Sequence, residues 1–350
     1  LLAHGKGIVQ DDEQAFKWYQ MAANQGEVRA QFVLAHNFEN GVGVAQSLKQ
    51  AFKWYQMAAE QGDSEAQGIV GFKFEKGQGV EQSYEQAIKW YLMAAEQGDA
   101  SAQYNLGLMY DTGQGIAQDL TQASKWYKLA AEQGVALAQL NLGYMYETGG
   151  GVAQDYKQAG KWYRLAAEQG DIQAQYNLGI MFHEGKGITT DLEQAAHWYR
   201  MAARQGDALA QYSLGNMYRE GQGVAQDIGK AFDWYYRAAE QGMVDAQNNV
   251  GFMFSKGHGV ERNFKEAAKW FRMAAEQGHA MSQGSLGFMY SKGYGVLQDY
   301  RTAYMYYSIS IKHGNERNRG KRNQLANLMS TQQISDAVKM TEEWMETHSK

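Results

Sequence analysis

Residues 99–134 read DASAQYNLGLMYDTGQGIAQDLTQASKWYKLAAEQG. Ala102, Leu106, Met109 and Tyr110 fall three or four apart, the spacing of one face of an α-helix. Gly113 stops that helix, since glycine takes the left-handed conformation at a helix end without a Cβ penalty. Asp119 then opens a second helix as its N-cap. Gln122, three residues on, completes the spacing of a capping box, in which each side chain satisfies the other residue's orphan backbone donor. Gln133-Gly134 closes the second helix. The stretch is a helix–turn–helix unit with an apolar stripe on each helix.

The unit repeats along the chain. Trp18, Trp54, Trp90, Trp126, Trp162, Trp198, Trp234 and Trp270 stand 36 residues apart every time, and Tyr306 takes the next place. The cap recurs as Asp11, Ser47, Ser83, Asp119, Asp155, Asp191, Asp227, Asn263 and Asp299. Its partner is Gln14, Gln50, Gln86, Gln122, Gln158, Gln194 or Glu266, and Lys230 and Thr302 break the box. Asp63, Asp99, Asp171 and Asp207 are placed to cap the first helices. The sequence has 40 Gly, no Pro and no Cys, and most of the glycines fall at fixed places in the unit. One of these, as in Gly107, is read as a point where two helices approach closely. Apolar residues make up 44% and charged residues 20%, enough apolar surface to fold and too little charge for disorder. A single pair cannot bury both its faces, but stacked pairs can. A buried Trp removes roughly 150–250 Å² from water, about 4–6 kcal/mol as an upper bound. Eight such anchors are expected to hold the stack.

The expected organisation is a repeat region over 1–314, with a half repeat at 1–26 and eight repeats from 27, followed by C-terminal capping helices over 315–350. Residues 316–329 read as one helix. Ser330 and Gln333 form another capping box ahead of a stripe of Ile334, Ala337, Val338, Thr341, Trp344 and Met345. Leu1–Gly7 reads like the end of a unit such as 74–80, so residues upstream, with any targeting signal among them, are expected.

The pattern A-x-x-W-Y-x-x-A-A-x-Q-G-[D]-x-x-A-Q-x-x-L-G-x-M-Y-x-x-G-x-G-V, as at 87–116, resembles the Sel1-like repeat family, a relative of tetratricopeptide repeats. The resemblance covers roughly 1–314. It implies an all-α fold, a right-handed α/α superhelical solenoid, acting as a non-enzymatic adaptor for protein complexes. It also implies a bacterial source, with export, periplasmic or secreted, ahead of a cytoplasmic location, and a possible role on host proteins. A cysteine-rich branch of the family binds penicillin; this chain has no Cys, and that activity is not expected here.

No catalytic residue, metal site or cofactor is expected. Zero Cys removes disulfides, thiolate zinc sites and thiol catalysis. His4, His36, His183, His197, His258, His279, His313 and His348 form no H-E-x-x-H pair. The glycines of 179–187 lack the spacing and the Ser/Thr of a phosphate loop. A net charge of −5 argues against nucleic acid as the partner. No run approaches the ~18 apolar residues of a membrane-spanning helix.

Recognition is sought at positions the repeat leaves free. Three change most along the first helix, at steps of four and three that put them on one face. The expected partner is a protein segment, a peptide or helix, in a concave groove lined by the first helices of a monomer. Tyr104, Leu108, Tyr144, Tyr176, Ile180, Tyr212 and Phe252 are its candidate apolar anchors. Glu39, Glu75, Asp111 and Glu147 are its candidate acidic ridge, oriented toward the basic end of the partner. The alternatives are a small-molecule or cell-wall-fragment site, and contact with an anionic membrane through the basic segment 312–322, with Arg317, Arg319, Lys321 and Arg322 as candidates.

Overall fold

The computed structural model describes residues 11–348. The readings placed on Leu1–Gly7 and on His4 lie outside the described residues. Among the described residues there are 19 helices and no strand. In order they are α1 (Asp12–Asn24), α2 (Val28–Asn40), α3 (Leu48–Glu60), α4 (Ser64–Lys76), α5 (Tyr84–Glu96), α6 (Ala100–Thr112), α7 (Leu120–Glu132), α8 (Ala136–Thr148), α9 (Tyr156–Glu168), α10 (Ile172–Glu184), α11 (Leu192–Arg204), α12 (Ala208–Glu220), α13 (Ile228–Glu240), α14 (Val244–Lys256), α15 (Phe264–Glu276), α16 (Ala280–Lys292), α17 (Tyr300–Lys312), α18 (Asn318–Ala326) and α19 (Thr331–His348). Even-numbered helices up to α16 are the first helices of the repeats, and the odd-numbered ones that follow are the second.

The helices gather into two compact units, one ending at Ala174 and including Lys186–Ile188, the other made of Gln175–Gly185 and the chain from Thr189. In the first unit, Tyr127, Ala130, Leu142 and Met145 close around Trp162. In the second, Tyr235, Ala238, Val250 and Met253 close around Trp270. The Trp of one repeat thus covers the core of the repeat before it. Trp54, Trp90, Trp162, Trp198 and Trp270 are buried, and Trp126 and Trp234 are half-buried. Trp18 departs from the expected eight anchors at 59% exposed.

The close approach expected at Gly107 is present in every repeat that has this glycine. A Cβ on Gly107 or Gly143 would stand 2.7 Å from the ring of Tyr127 or Tyr163 on the second helix. Gly113 has φ 73° and sends its N–H to Met109, so it ends α6 as expected.

The capping box is half right. Asp119 accepts from the N–H groups of Thr121 and Gln122 at 2.9 and 3.0 Å. The reciprocal bond from Gln122 is replaced, because the Asp119 N–H donates to Tyr110 O of the first helix at 2.9 Å. The same substitution recurs at Ser47, Ser83, Asp155, Asp191, Asp227, Asn263 and Asp299. Tertiary contact has taken the donor that the local motif would use. Ser330 and Gln333 form the complete box, with both bonds present at the start of α19.

A ladder of glutamines ties the helices together. Buried Gln139 donates to Ala131 O at 3.0 Å and accepts from Gln169 at 2.8 Å. Gln67, Gln103, Gln211 and Gln247 do the same with their own repeats. In the last repeat the place of the donor glutamine goes to His313, whose Nδ1 lies 3.0 Å from Gln283 Oε1.

After α17 the pattern changes. The helix expected over 316–329 is shorter, Asn318–Ala326. Asn318 is buried and donates to Ser310 Oγ at 2.8 Å, which donates to Ala280 O at 2.6 Å. Asn318 reaches back eight residues, as the repeat glutamines do, so α18 stands in for the first helix of a further repeat. Met340, Trp344 and Met345 of α19 pack on the cluster of Phe271, Leu286, Met305 and Tyr306. Within the expected stripe Ala337 and Thr341 are buried, while Val338 is 41% exposed.

Candidate functional site

The three variable positions lie on the side of each first helix away from its buried Ala and Leu. Tyr104, Tyr176 and Tyr212 are half-buried, and their rings lie 5.9, 5.7 and 5.5 Å from those of Tyr127, Tyr199 and Tyr235. They are lids over the second-helix tyrosines, and only their outer edges face solvent. The next position along the helix is more open. Phe72 is 40% exposed, Tyr144 59%, Phe252 46% and Phe288 42%. Leu108 and Ile180 are half-buried in this row, and Asn216 accepts from Tyr235 Oη at 2.6 Å.

The acidic ridge has a structural task that the sequence reading missed. Tyr55, Tyr91, Tyr127 and Tyr163 donate to Glu39, Glu75, Asp111 and Glu147 at 3.0, 2.8, 3.1 and 2.6 Å. Burial, and then the neighbouring carboxylate, push the hydroxyl pKa of Tyr55 and Tyr91 up, which keeps them donors. Lys73 adds a second bond to Glu39 at 2.6 Å and is itself buried. Glu75 pairs with Lys76 at 2.6 Å. The ridge is therefore partly neutralised and its carboxylates are committed inward. The spacing is constant, with the second-helix Tyr 16 residues after the carboxylate, but Tyr199, Tyr235 and Tyr307 stand 16 residues after His183, Arg219 and Ser291, so the sequence alone did not disclose the pair.

The basic candidates do not share one face. Arg319 pairs with Glu316 at 2.7 Å. Arg322 lies over the Tyr304 ring at 5.6 Å and donates to Asn323. Arg317 and Lys321, one turn apart, border a hollow beside α16. Among the described residues no group of three or more His, Asp or Glu is placed to hold a metal ion. Among the same residues no helix is long and apolar enough to cross a membrane.

The Sel1 repeat profile matches the chain nine times, at residues 1–27, 28–63, 64–99, 100–135, 136–171, 172–207, 208–243, 244–279 and 280–315. The chain belongs to the Sel1 repeat family. No curated protein matches it. Among solved structures, this Sel1 repeat chain is similar to c5321, a protective antigen present in uropathogenic Escherichia coli strains that displays an SLR fold. The identity is 32% over 99% of this chain and 82% of that one, with a TM-score of 0.66. It is also similar to a Sel1 repeat protein from Oxalobacter formigenes, with 32% identity over 88% and 89% of the two chains and a TM-score of 0.65. The all-α helix-pair fold read from the sequence is the fold found, and its relatives are bacterial. Sel1 and tetratricopeptide-like repeats are in general a non-enzymatic scaffold that binds protein partners.

Proposed function

We propose that this Sel1 repeat chain is a non-enzymatic adaptor, working as a monomer, that binds a peptide or helix of a partner protein in the groove lined by its first helices. The observation that carries the reading is the exposure of Phe72 and Tyr144 on the first helices of the first unit, with Phe252 exposed at the same repeat position in the second. No packing rule of the repeat demands these side chains, since the same place holds His36 and Asn216 elsewhere. Exposed aromatics on a rigid helical frame are suited to anchor a peptide, because little conformational freedom is lost on binding. Tyr104, Leu108, Tyr176, Ile180 and Tyr212 contribute edges to the same faces within their own units. Glu39, Glu75, Asp111 and Glu147 act chiefly by holding the second-helix tyrosines and lend a weak acidic bias to the first repeats. The resemblance to a protective antigen of uropathogenic Escherichia coli supports a place outside the cytoplasm, where the partner would be a host or envelope protein.

The test is quantitative pull-down with the wild-type chain and the variant carrying Phe72→Ala and Tyr144→Ala. The variant is expected to keep its unfolding midpoint and to lose its specifically captured partner. Capture undiminished in the variant would remove the groove from the reading.

A further inference from the structure

Within the second unit, α14, α16 and α18 enclose a half-open hollow of about 920 Å³. Sites that take compact ligands span roughly 300–1,000 Å³, so this one admits a few peptide residues. Its walls are apolar and open to solvent: Phe252, Met281, Phe288 and Tyr294 are 46, 58, 42 and 42% exposed. Tyr294 stands between Gly293 and Gly295, where the repeat before it carries His258, edge-on to Phe252 at 5.9 Å, and the others carry no ring. Tyr294 stacks on Phe264 at 4.9 Å and meets Phe288 edge-on at 5.8 Å. Among the described ring pairs, the stack of Tyr294 on Phe264 has no counterpart in the other repeats.

The rim is cationic. Lys256, Arg262, Arg317 and Lys321 border the hollow, and no Asp or Glu lines it. Among the described residues none of these four is in an ion pair. Glu316, beside them in the chain, is taken by Arg319. Lys256 and Arg262 lie over the rings of Phe252 and Phe264, at 5.9 and 5.4 Å, which leaves their charges at the apolar edge. The backbone that carries Arg317 and Lys321 is seated by α18: Asn318 between them is buried and lies so close to Gly284 that a Cβ there would collide with it. Four unpaired cations around one apolar hollow repel each other and raise the local positive potential, which an incoming carboxylate relieves.

We propose that this hollow binds an acidic peptide segment carrying a bulky apolar side chain, the side chain entering among Phe252, Met281, Phe288 and Tyr294 and the carboxylates meeting Lys256, Arg262, Arg317 and Lys321. The proposal rests on the adaptor reading and names the chemistry of one end of the partner. A peptide fits the site better than a bilayer does, because the cations ring a concavity and do not form a flat face. Arg319 and Arg322 point their charges elsewhere.

The experiment is selection of a random peptide phage library on the full chain, in parallel on the variant with Lys256→Gln, Arg317→Gln and Lys321→Gln, and on the variant with Phe288→Ser. Circular dichroism checks that each variant folds. Enriched sequences are expected to place Asp or Glu beside Phe, Trp, Leu or Met. A synthetic peptide of the consensus is expected to bind roughly tenfold or more weakly to the triple variant. Its affinity should also fall as salt rises. No enrichment of acidic sequences, or a consensus that binds the triple variant as well as wild type, overturns the proposal. So does binding of anionic phosphatidylserine vesicles that depends on the three cations with no peptide selected. Peptides lost with Tyr144→Ala but kept by the triple variant would leave the groove reading standing while this one falls.

Discussion

At the scale of single residues, the repeat is held by contacts close enough that a change of one carbon must displace a neighbour. Gly143 faces the Tyr163 ring, and a Cβ would stand 2.7 Å from it. Gly143→Ala is expected to cost about 1–3 kcal/mol through overpacking, read as a lower urea midpoint at unchanged slope. An unaltered midpoint would mean the ring yields freely. The first repeat shows that relief is available, since Ala35 is fully buried at the equivalent place in the same cluster as Tyr55. The second residue-scale prediction concerns Glu39. Burial works against its charge, but the hydrogen bond and charge of Lys73, with the Tyr55 hydroxyl, outweigh it and hold the carboxyl below its ordinary value. A lowered folded-state pKa favours the charged form, so this stabilisation is complete above the unfolded carboxylate pKa of about 4.3 and is lost as pH falls through the lowered value. Lys73→Met installs the residue that six other repeats carry there. The variant is expected to lose less stability between neutral pH and pH 3 than the wild type does, measured by urea unfolding across pH. Parallel pH curves for the two would refute the coupling.

At the scale of the helix, local motif and tertiary contact compete for the same donors. The Asp119 side chain caps α7, so Asp119→Ala should cost about 1 kcal/mol. Gln122 sits in the same motif, yet the bond it was read to make goes from the Asp119 N–H to Tyr110 O. Gln122→Ala should therefore stay within about 0.5 kcal/mol of wild type in the same unfolding assay. A loss comparable to that of Asp119→Ala would restore the full capping box. The contrast shows what could be read from the sequence. Helices, stops and N-caps depend on residues close in the chain, so Asp119, Gly113 and the Trp spacing disclosed them directly. The Asp119-to-Tyr110 bond, the Gln139–Gln169 link and the Tyr127–Asp111 pair join helices, and spacing alone does not say which of two polar partners a donor will choose. The candidate face was proposed for the same reason that its energetics were missed. Variability marked Tyr144 and Asp111 alike, but only the structure separates an exposed ring from a carboxylate turned inward.

At the scale of the whole molecule, the contacts that hold the helix pairs recur 36 residues on: the N-caps, the second-helix-to-first-helix bonds and the glutamine ladder. The length of the chain should therefore be adjustable only in whole repeats. Removing residues 100–135 joins Asp99 to Ala136. Asp99 would then cap α8 in place of Val135, which makes no side-chain cap. Gln139 would find Ala95 O where it now finds Ala131 O, and the pairs Gln67–Gln97 and Glu75–Tyr91 would be untouched. Removing 100–117 instead deletes α6 alone. Tyr127 would lose Asp111, and Gln133 would lose Gln103. The 36-residue deletion is expected to keep the mean residue helicity of the parent by circular dichroism and to unfold cooperatively at a modestly lower midpoint. The 18-residue deletion should lose helicity and broaden its transition, because it strands buried polar groups at roughly 1–3 kcal/mol each. Like behaviour of the two deletions would show that the repeat unit is a regularity of sequence and not the unit of stability.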